Sequence, residues 1–336
     1  PLHLNHYGLF TELTSTNASS VTSGPTAEDQ QVVSIFNIHS RDGVDLKCSL
    51  YRSFHESSTK RKNVRLGLNF FLPSLAYVLF AMIESLKTNK DYRSVIFRCL
   101  DNCLTTTSLG NKEHYKGKVR DRYDLGEVLA LITTDRQSAF DRILATIPFK
   151  GQVLNQTGAW WFEKTKHIIP NHVIEIPDPN VTIAKKCKPF PIEFLVIGYV
   201  TGSSSTSLWT IYNRGEREYC GIKFPDGMVK NQALDSPVLT PTTKEEDHDR
   251  PISPEEIVEE GWMSEEHWDL ASKKALELFA YGQKISEEHG LILVDTKYEM
   301  GLSPSGETIL IDEIHTPDSS RYWINESYAD RTSSGL

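Results

Sequence analysis

Residues 291–323 read LILVDTKYEMGLSPSGETILIDEIHTPDSSRYW, and they restrict the possible folds more than any other stretch of the chain. Two runs rich in Leu, Ile and Val flank a Ser-Pro-Ser-Gly turn signal at 303–306, the pattern of a β-hairpin able to line a core. Yet the first run carries Asp295, Lys297 and Glu299 on alternate positions, so one face of that strand is charged. The second ends in Asp312 and Glu313, which a period of two sends to opposite faces. A hairpin closed around Ser303–Gly306 is expected to set Asp312 opposite Lys297. Asp295, Glu299 and Asp312 then converge around one lysine at the mouth of an apolar sheet. Three carboxylates that close repel one another unless a cation joins them. Only oxygen donors are offered, which suits magnesium held by carboxylates and substrate phosphates. A surface salt-bridge cluster accounts for the same residues, but strands of Leu, Ile and Val imply burial, and buried charge demands compensation. Asp318, Ser319, Ser320 and Arg321 follow at once and add an anion-binding corner.

The totals describe an ordinary globular protein. At 336 residues, 39% hydrophobic and 24% charged, the chain can bury a sizeable core in two domains or in one domain with lobes. A net charge of −9 argues against a nucleic-acid binder, which shows a basic footprint. Five cysteines (Cys48, Cys99, Cys103, Cys187 and Cys220) make an odd count without a CxxC pair, so neither a disulfide framework nor a zinc site is indicated. Residues 11–34 are rich in Ser, Thr, Asn and Gly and read as disordered. A basic stretch, KRKNVR, precedes eighteen uncharged residues at 66–83, just the length of a membrane-span candidate. Pro73, Asn69 and Ser74 interrupt that run and favour a buried or targeting-associated segment.

Further along, HYKGKVRDRYDLGEVLALITT (114–134) predicts one hairpin turning at Asp124–Glu127. Lys116, Lys118 and Arg120 alternate along its first strand and, beside Gly117, suit a phosphate group. A solvated edge strand guarded by lysine against aggregation is the better explanation of this segment taken alone. No GxxxxGK[ST] or GxGxxG motif occurs, so neither a P-loop nor a dinucleotide fingerprint is indicated. TTDRQSAFDR (133–142) sets Asp135, Ser138, Asp141 and the flanking arginines directly after a strand, where active-site loops occur, but a turn with Asx and Ser caps is the better explanation of the segment alone. PIEFLVIGYVTGS (191–203) predicts a strand with Glu193, Leu195, Ile197 and Tyr199 on one face; a Glu among such neighbours needs a partner or a ligand. Ser253-Pro254-Glu255-Glu256 is a capping box opening a helical pattern that Gly290 stops.

Taken in order, GKVRDRYD, TDRQSAFD, PFKGQVLNQT, IPNHVI, KKCKPFPIEF, GYVTGS, LTPTTK, LVDTKYEMG and IDEIHTPDSSRYW resemble the SAICAR synthetase family, its plant-like branch above all, from about residue 112 onward. The resemblance implies an α+β fold of two lobes, similar to ATP-grasp proteins, with nucleotide between antiparallel-sheet lobes. It implies a ligase that uses ATP and magnesium to join L-aspartate to carboxyaminoimidazole ribotide in purine biosynthesis, by way of an acyl phosphate. Position by position, Lys118, Val119 and Arg120 resemble the strand that covers the ATP phosphates, and Glu193 and Lys244 are further candidates for nucleotide contact. Glu299 and Asp312, with Asp249, resemble the magnesium ligands. Ser138, Asp141, Ser203 and Arg321 are similar to residues that hold the ribotide. Asp295 and Lys297 belong to the same group and are the candidates for catalytic duty, Asp295 as base.

Composition marks residues 1–90 as an extension, largely disordered or targeting-like with one apolar segment; the resemblance implies an N-terminal lobe at 91–190 and a C-terminal lobe at 191–336. The plant-like match implies a chloroplast address, with the cytoplasm as the alternative. The implied partners are small-molecule substrates, with no nucleic acid and no membrane, and a homo-oligomer is left open. Three departures stand out: residues 1–90 match no part of the family, whose plant-like form has a different leader, and two more lie in the matched region. The family pattern Glu-Phe-Val-Val-Arg-Gly-Tyr has Ile197 in place of its arginine, and the C-terminal helical segment of the family is missing after SSGL. Both features admit an alternative, a relative that binds nucleotide but is catalytically impaired.

Overall fold

The computed structural model describes residues 33–36, 49–52, 92–110, 112–139, 142–244 and 250–333. The apolar run at 66–83, Asp141 and Asp249 lie outside them. The chain divides into two compact units, residues 1–97 and 98–336. In the first, β1 (Val33–Phe36) and β2 (Ser49–Arg52) pair antiparallel, and α1 (Tyr92–Arg98) lies at the junction in sequence. No described helix is long and apolar enough to cross a membrane.

The second unit is α+β with two lobes built on antiparallel sheets. The first sheet contains β3 (His114–Lys116), β4 (Arg120–Asp124) and β5 (Val128–Thr133). A separate hairpin follows, β6 (Arg136–Ala139) with β7 (Arg142–Thr146), and then the long helix α2 (Lys150–Thr165). The strands β8 (Val173–Asp178) and β9 (Val181–Lys185) complete the first sheet in the order β3-β4-β5-β9-β8. The 114–134 segment therefore makes two hairpins where its sequence predicts one. Gly117 donates its N–H to the Arg120 carbonyl at 2.9 Å, closing a tight turn, so Lys118 lies at a turn and not on a strand with Lys116 and Arg120.

The second sheet has seven strands. β10 (Lys188–Pro189) and β11 (Ile192–Tyr199) lead, after α3 (Leu208–Asn213) and the short pair β12 (Glu218–Tyr219) and β13 (Ile222–Lys223), to β14 (Ala233–Leu239) and β15 (Thr242–Thr243). Two helices intervene, α4 (Pro254–Glu259) and α5 (Glu265–Glu288), before β16 (Leu291–Leu302), β17 (Thr308–Ile311), β18 (Ser320–Ile324) and a final helix α6 (Asn325–Ser333). β16 is the hub: it pairs with β10, β11, β17 and β18.

The helical pattern after Ser253 holds, with one correction. The capping box is formed, Glu256 N–H donating to Ser253 Oγ at 3.2 Å and Ser253 N–H to the Glu256 carboxylate at 2.8 Å. One helix was expected, but Gly261 adopts φ +76°, a left-handed turn that ends α4, and Ser264 caps a second start. α5 then buries Trp268, Ala271, Ala275, Leu278 and Phe279 on one stripe against the seven-stranded sheet. Cys99, Cys103, Cys187 and Cys220 are free thiols.

At the centre of this core lies a polar knot. The Tyr298 hydroxyl of β16 and His315 Nε2 share a hydrogen bond of 2.5 Å, and Trp161 of α2 meets the His315 ring edge-on at 4.6 Å. Gly282 of α5 admits the ring, because a Cβ there would stand 2.4 Å from His315 Cε1. Burial pushes the His315 imidazole down from 6.5 to about 3, and that of His172, also buried, to about 4. Both rings take up a proton near 6.5 once the chain unfolds. Their contribution to stability is therefore complete above about pH 6.5 and is lost as the pH falls toward the folded values. Two such rings give a slope approaching about 2.7 kcal/mol per pH unit near pH 5. Urea unfolding across pH 5–7 should show this acid loss, and His315→Gln should remove close to half of the slope; an unchanged slope would contradict the assignment.

Candidate active site

The charged face of β16 is where the sequence places it. Asp295, Lys297 and Glu299 are half-buried and alternate with buried Val294, Thr296, Tyr298 and Met300. On the neighbouring β11, Leu195 lies opposite Lys297 and Ile197 opposite Asp295, so Glu193 projects from the same face. The partner Glu193 requires is Lys297, whose Nζ donates to its carboxylate at 2.7 Å and to Glu299 at 3.3 Å. Lys244, just beyond β15, donates to the other oxygen of Glu299 at 2.5 Å.

The arrangement of Asp295 and Asp312 differs from the sequence expectation. The β16–β17 ladder ends with Glu299 opposite Ile311, so Asp312 lies past the ladder and not across from Lys297. Its φ of +66° turns the chain and delivers its carboxylate to Arg120 of β4. Glu313 faces the same guanidinium at 3.9 Å, so the two carboxylates share one cation instead of diverging to opposite faces. Asp295, directly across from Arg321 on β18, pairs with that arginine at 2.9 Å and not with Lys297. The three carboxylates expected around one lysine are thus distributed over Lys297, Lys244, Arg120 and Arg321. Among the described residues no cluster of three metal-ligating side chains forms.

The field of this network sets the ionisation of its members. Burial would lower Lys297, but Glu193 and Glu299 hold it well above the ordinary lysine value. Desolvation would raise Asp312, yet Arg120 and Lys297 keep it below the usual carboxylate range. Burial raises Asp295 and Glu313 in spite of their arginine partners. The site therefore combines an anchored carboxylate with others of heightened proton affinity.

Sequence reasoning gave Arg136 no role of its own. On β6 and only 3% exposed in its side chain, it pairs with buried Asp121 at 2.5 Å. It also donates Nη2 to the Gly117 carbonyl at 2.9 Å, Nε to Lys118 at 3.1 Å and Nη1 to Thr105 at 2.8 Å. One guanidinium thereby fixes the backbone of the turn that carries exposed Lys118 and half-buried Val119. No local pattern signals this, because three of its acceptors are backbone carbonyls. Asp135 proves structural, as the turn reading of its segment allowed: its carboxylate accepts from Leu104 N–H and Gly151 N–H, both at 2.8 Å. Ser138 lies half-buried on β6 opposite Ile143, and Ser203 is exposed after β11. Ile197 is on the charged face, but Val200, Leu208 and Tyr212 bury it in a second apolar cluster, so packing accounts for its side chain.

Two antiparallel lobes with a turn lysine, paired carboxylates and several cations define an α+β enzyme equipped for anionic substrates. A family model described as SAICAR synthetase matches residues 113–336. A phosphoribosylaminoimidazole-succinocarboxamide synthase of Legionella pneumophila (strain Paris) is 65% identical over 233 residues, 69% of this chain and 75% of that protein. A chloroplastic synthase of the same name from Vigna aconitifolia is 61% identical over 242 residues, 70% of this chain and 71% of its own length. Among solved structures, the SAICAR synthase of Saccharomyces cerevisiae complexed with SAICAR matches with a TM-score of 0.60 at 31% identity, covering 67% of this chain and 81% of that one. The chain belongs to the SAICAR synthetase family, ligases of purine biosynthesis, as its ordered motifs imply.

Removing the Arg136 guanidinium leaves Asp121 buried without its counter-charge, a change that costs about 3–5 kcal/mol. Arg136→Met should lower stability by that amount in denaturant titrations, whereas a loss below about 1 kcal/mol would show that the pair is dispensable.

Proposed function

We propose that this site carries out the ATP-dependent joining of L-aspartate to carboxyaminoimidazole ribotide, giving SAICAR, ADP and phosphate. The observation that carries the reading is the interlocked set of Lys297, Lys244 and Arg120 with Glu193, Glu299 and Asp312, built from segments within the family match. A ribotide carboxylate oxygen attacks the γ-phosphorus of ATP, ADP departs, and an acyl phosphate forms. The aspartate nitrogen then attacks the carbonyl carbon, the bond to phosphate breaks, and the nitrogen loses a proton as the amide is made. Lys118 and Val119 on the Arg136-held turn cover the phosphates, with Arg120 and Lys244 neutralising charge that develops during transfer. Asp295 is the candidate to receive the proton, since burial raises its affinity for one. Ser138, Ser203 and Arg321, together with Asp141, hold and orient the ribotide.

Magnesium fits the donors present. Glu299 and anionic Asp312 offer hard oxygen ligands, too few for an all-protein cage but sufficient for an ion shared with phosphate oxygens. These two, with Asp249, would hold it. Its chemistry there is to neutralise phosphate charge. Similarity to the chloroplastic Vigna synthase supports a plastid location, which import of the labelled full chain into isolated chloroplasts would test.

The purified chain should release ADP only when ATP, aspartate and the ribotide are all present; release that ignores either aspartate or ribotide would contradict the ligase reading. Mg-ATP should raise the unfolding midpoint, because a ligand that binds only the folded state stabilises it. Asp312→Asn should abolish the magnesium dependence of that rise. A shift that survives the substitution would move the ion elsewhere.

A further inference from the structure

The helix α2 buries Gly151, Leu154, Asn155, Gly158, Trp161 and Phe162 along one stripe. Asn155 is the anomaly in it. Asparagine is a weak helix former, and an amide taken out of water is costly unless both of its ends are bonded. Asn155 is only 9% exposed. Its Oδ1 accepts from Thr182 Oγ1 at 2.8 Å, whereas its Nδ2 has no partner among the described residues.

That amide lines a cavity of about 20 Å³ together with Arg120, Thr182, Gly158, Asp312 and Glu313. The volume is enough for a single water and for nothing of substrate size. Gly158 helps keep the space open, since a Cβ there would meet only Thr316 Cγ2, at 3.7 Å. The walls supply what a buried water needs, a donor on one side and acceptors on the other. Asp312 Oδ1 is engaged by Arg120, and Glu313 Oε2 accepts from Thr316 Oγ1, which leaves the second oxygen of each carboxylate to take a further proton.

We propose that one water fills this cavity, accepting from Asn155 Nδ2 and donating its two protons to Asp312 and Glu313, and that Asn155 is thereby a positioning residue for these carboxylates. Arg120 grips the pair from one side, and the Asn155-bound water fixes it from the other. The backbone at Asp312, turned to φ +66°, gains a second restraint on its side chain. The functional consequence rests on the ligase reading, in which Asp312 is a magnesium ligand. The water itself does not depend on that reading.

A high-resolution crystal structure of the full chain should show one water within hydrogen-bond distance of Asn155 Nδ2 and of both carboxylates. Asn155→Leu, similar in volume but without a donor, should expel it. The magnesium concentration giving half of the Mg-ATP-induced rise in unfolding midpoint should then increase roughly tenfold, as groups that orient a ligating carboxylate typically contribute. Asn155→Ser, which keeps a donor, should restore most of the loss. A dry cavity, or a folded leucine variant with an unchanged magnesium requirement, would overturn the inference. If the leucine variant does not fold, the wild-type density and the serine variant decide. Absence of ADP release from a chain that holds the water would count against the ligase reading and not against the water.

Discussion

Charge placed on a strand that also lines the core must be compensated at once, and β16 sets this condition for the rest of the second unit. Asp295, Lys297 and Glu299 lie on its face between buried Leu293, Tyr298 and Met300, too close to apolar packing to remain unpaired. Each counter-charge arrives from a different part of the chain. Glu193 comes from β11, Lys244 from beyond β15 and Arg321 from β18, while Arg120 of β4 takes the carboxylates that follow β17. The charges on β16 are met from the seven-stranded sheet, whereas the carboxylates that follow β17 draw on the five-stranded one through Arg120.

This balance prepares the proposed chemistry. On the proposed reading, Glu299 and Asp312 would hold the magnesium that offsets phosphate charge, and the lysines and arginine that neutralise them here would be available to the nucleotide's phosphates. Little reorganisation is needed, because Lys297 is kept charged by Glu193 and Glu299, and Asp312 is kept anionic by Arg120 and Lys297. Arg136 does for the turn at Lys118 and Val119 what these pairs do for the charged face of β16. It fixes a backbone loop through carbonyl contacts before any ligand is present.

Much of this was legible in the sequence. Period-two alternation revealed the charged face of β16 and the matching face of β11, and the Ser253 capping box marked the start of α4. The charge on Glu193 correctly demanded a partner, and that partner is Lys297, which reaches it diagonally from opposite Leu195. What period alone could not carry was direction past the end of a strand. Asp312 enters a left-handed conformation that no pattern of apolar residues encodes, so the predicted pairing with Lys297 gave way to Arg120. The helical pattern was carried from Ser253 to Gly290 as one element, whereas the left-handed turn at Gly261 divides it into two. The role of Arg136 could not be read locally, because its partners, Asp121 and three backbone carbonyls, are set by tertiary packing. The reaction itself came from nine ordered motifs and not from spacing, since oxygen donors beside lysines are common to many phosphate-handling sites.

The central claim is that Lys297 keeps Glu193 and Glu299 neutralised so that the face can accept a nucleotide polyphosphate. Calorimetric titration of the full chain with Mg-ADP, comparing wild type with Lys297→Met, tests it directly. Two carboxylates stripped of a charge-assisted partner worth about 1.5–3 kcal/mol should weaken binding roughly ten- to a hundredfold. A Lys297→Met chain that folds and binds Mg-ADP with wild-type affinity would contradict the account.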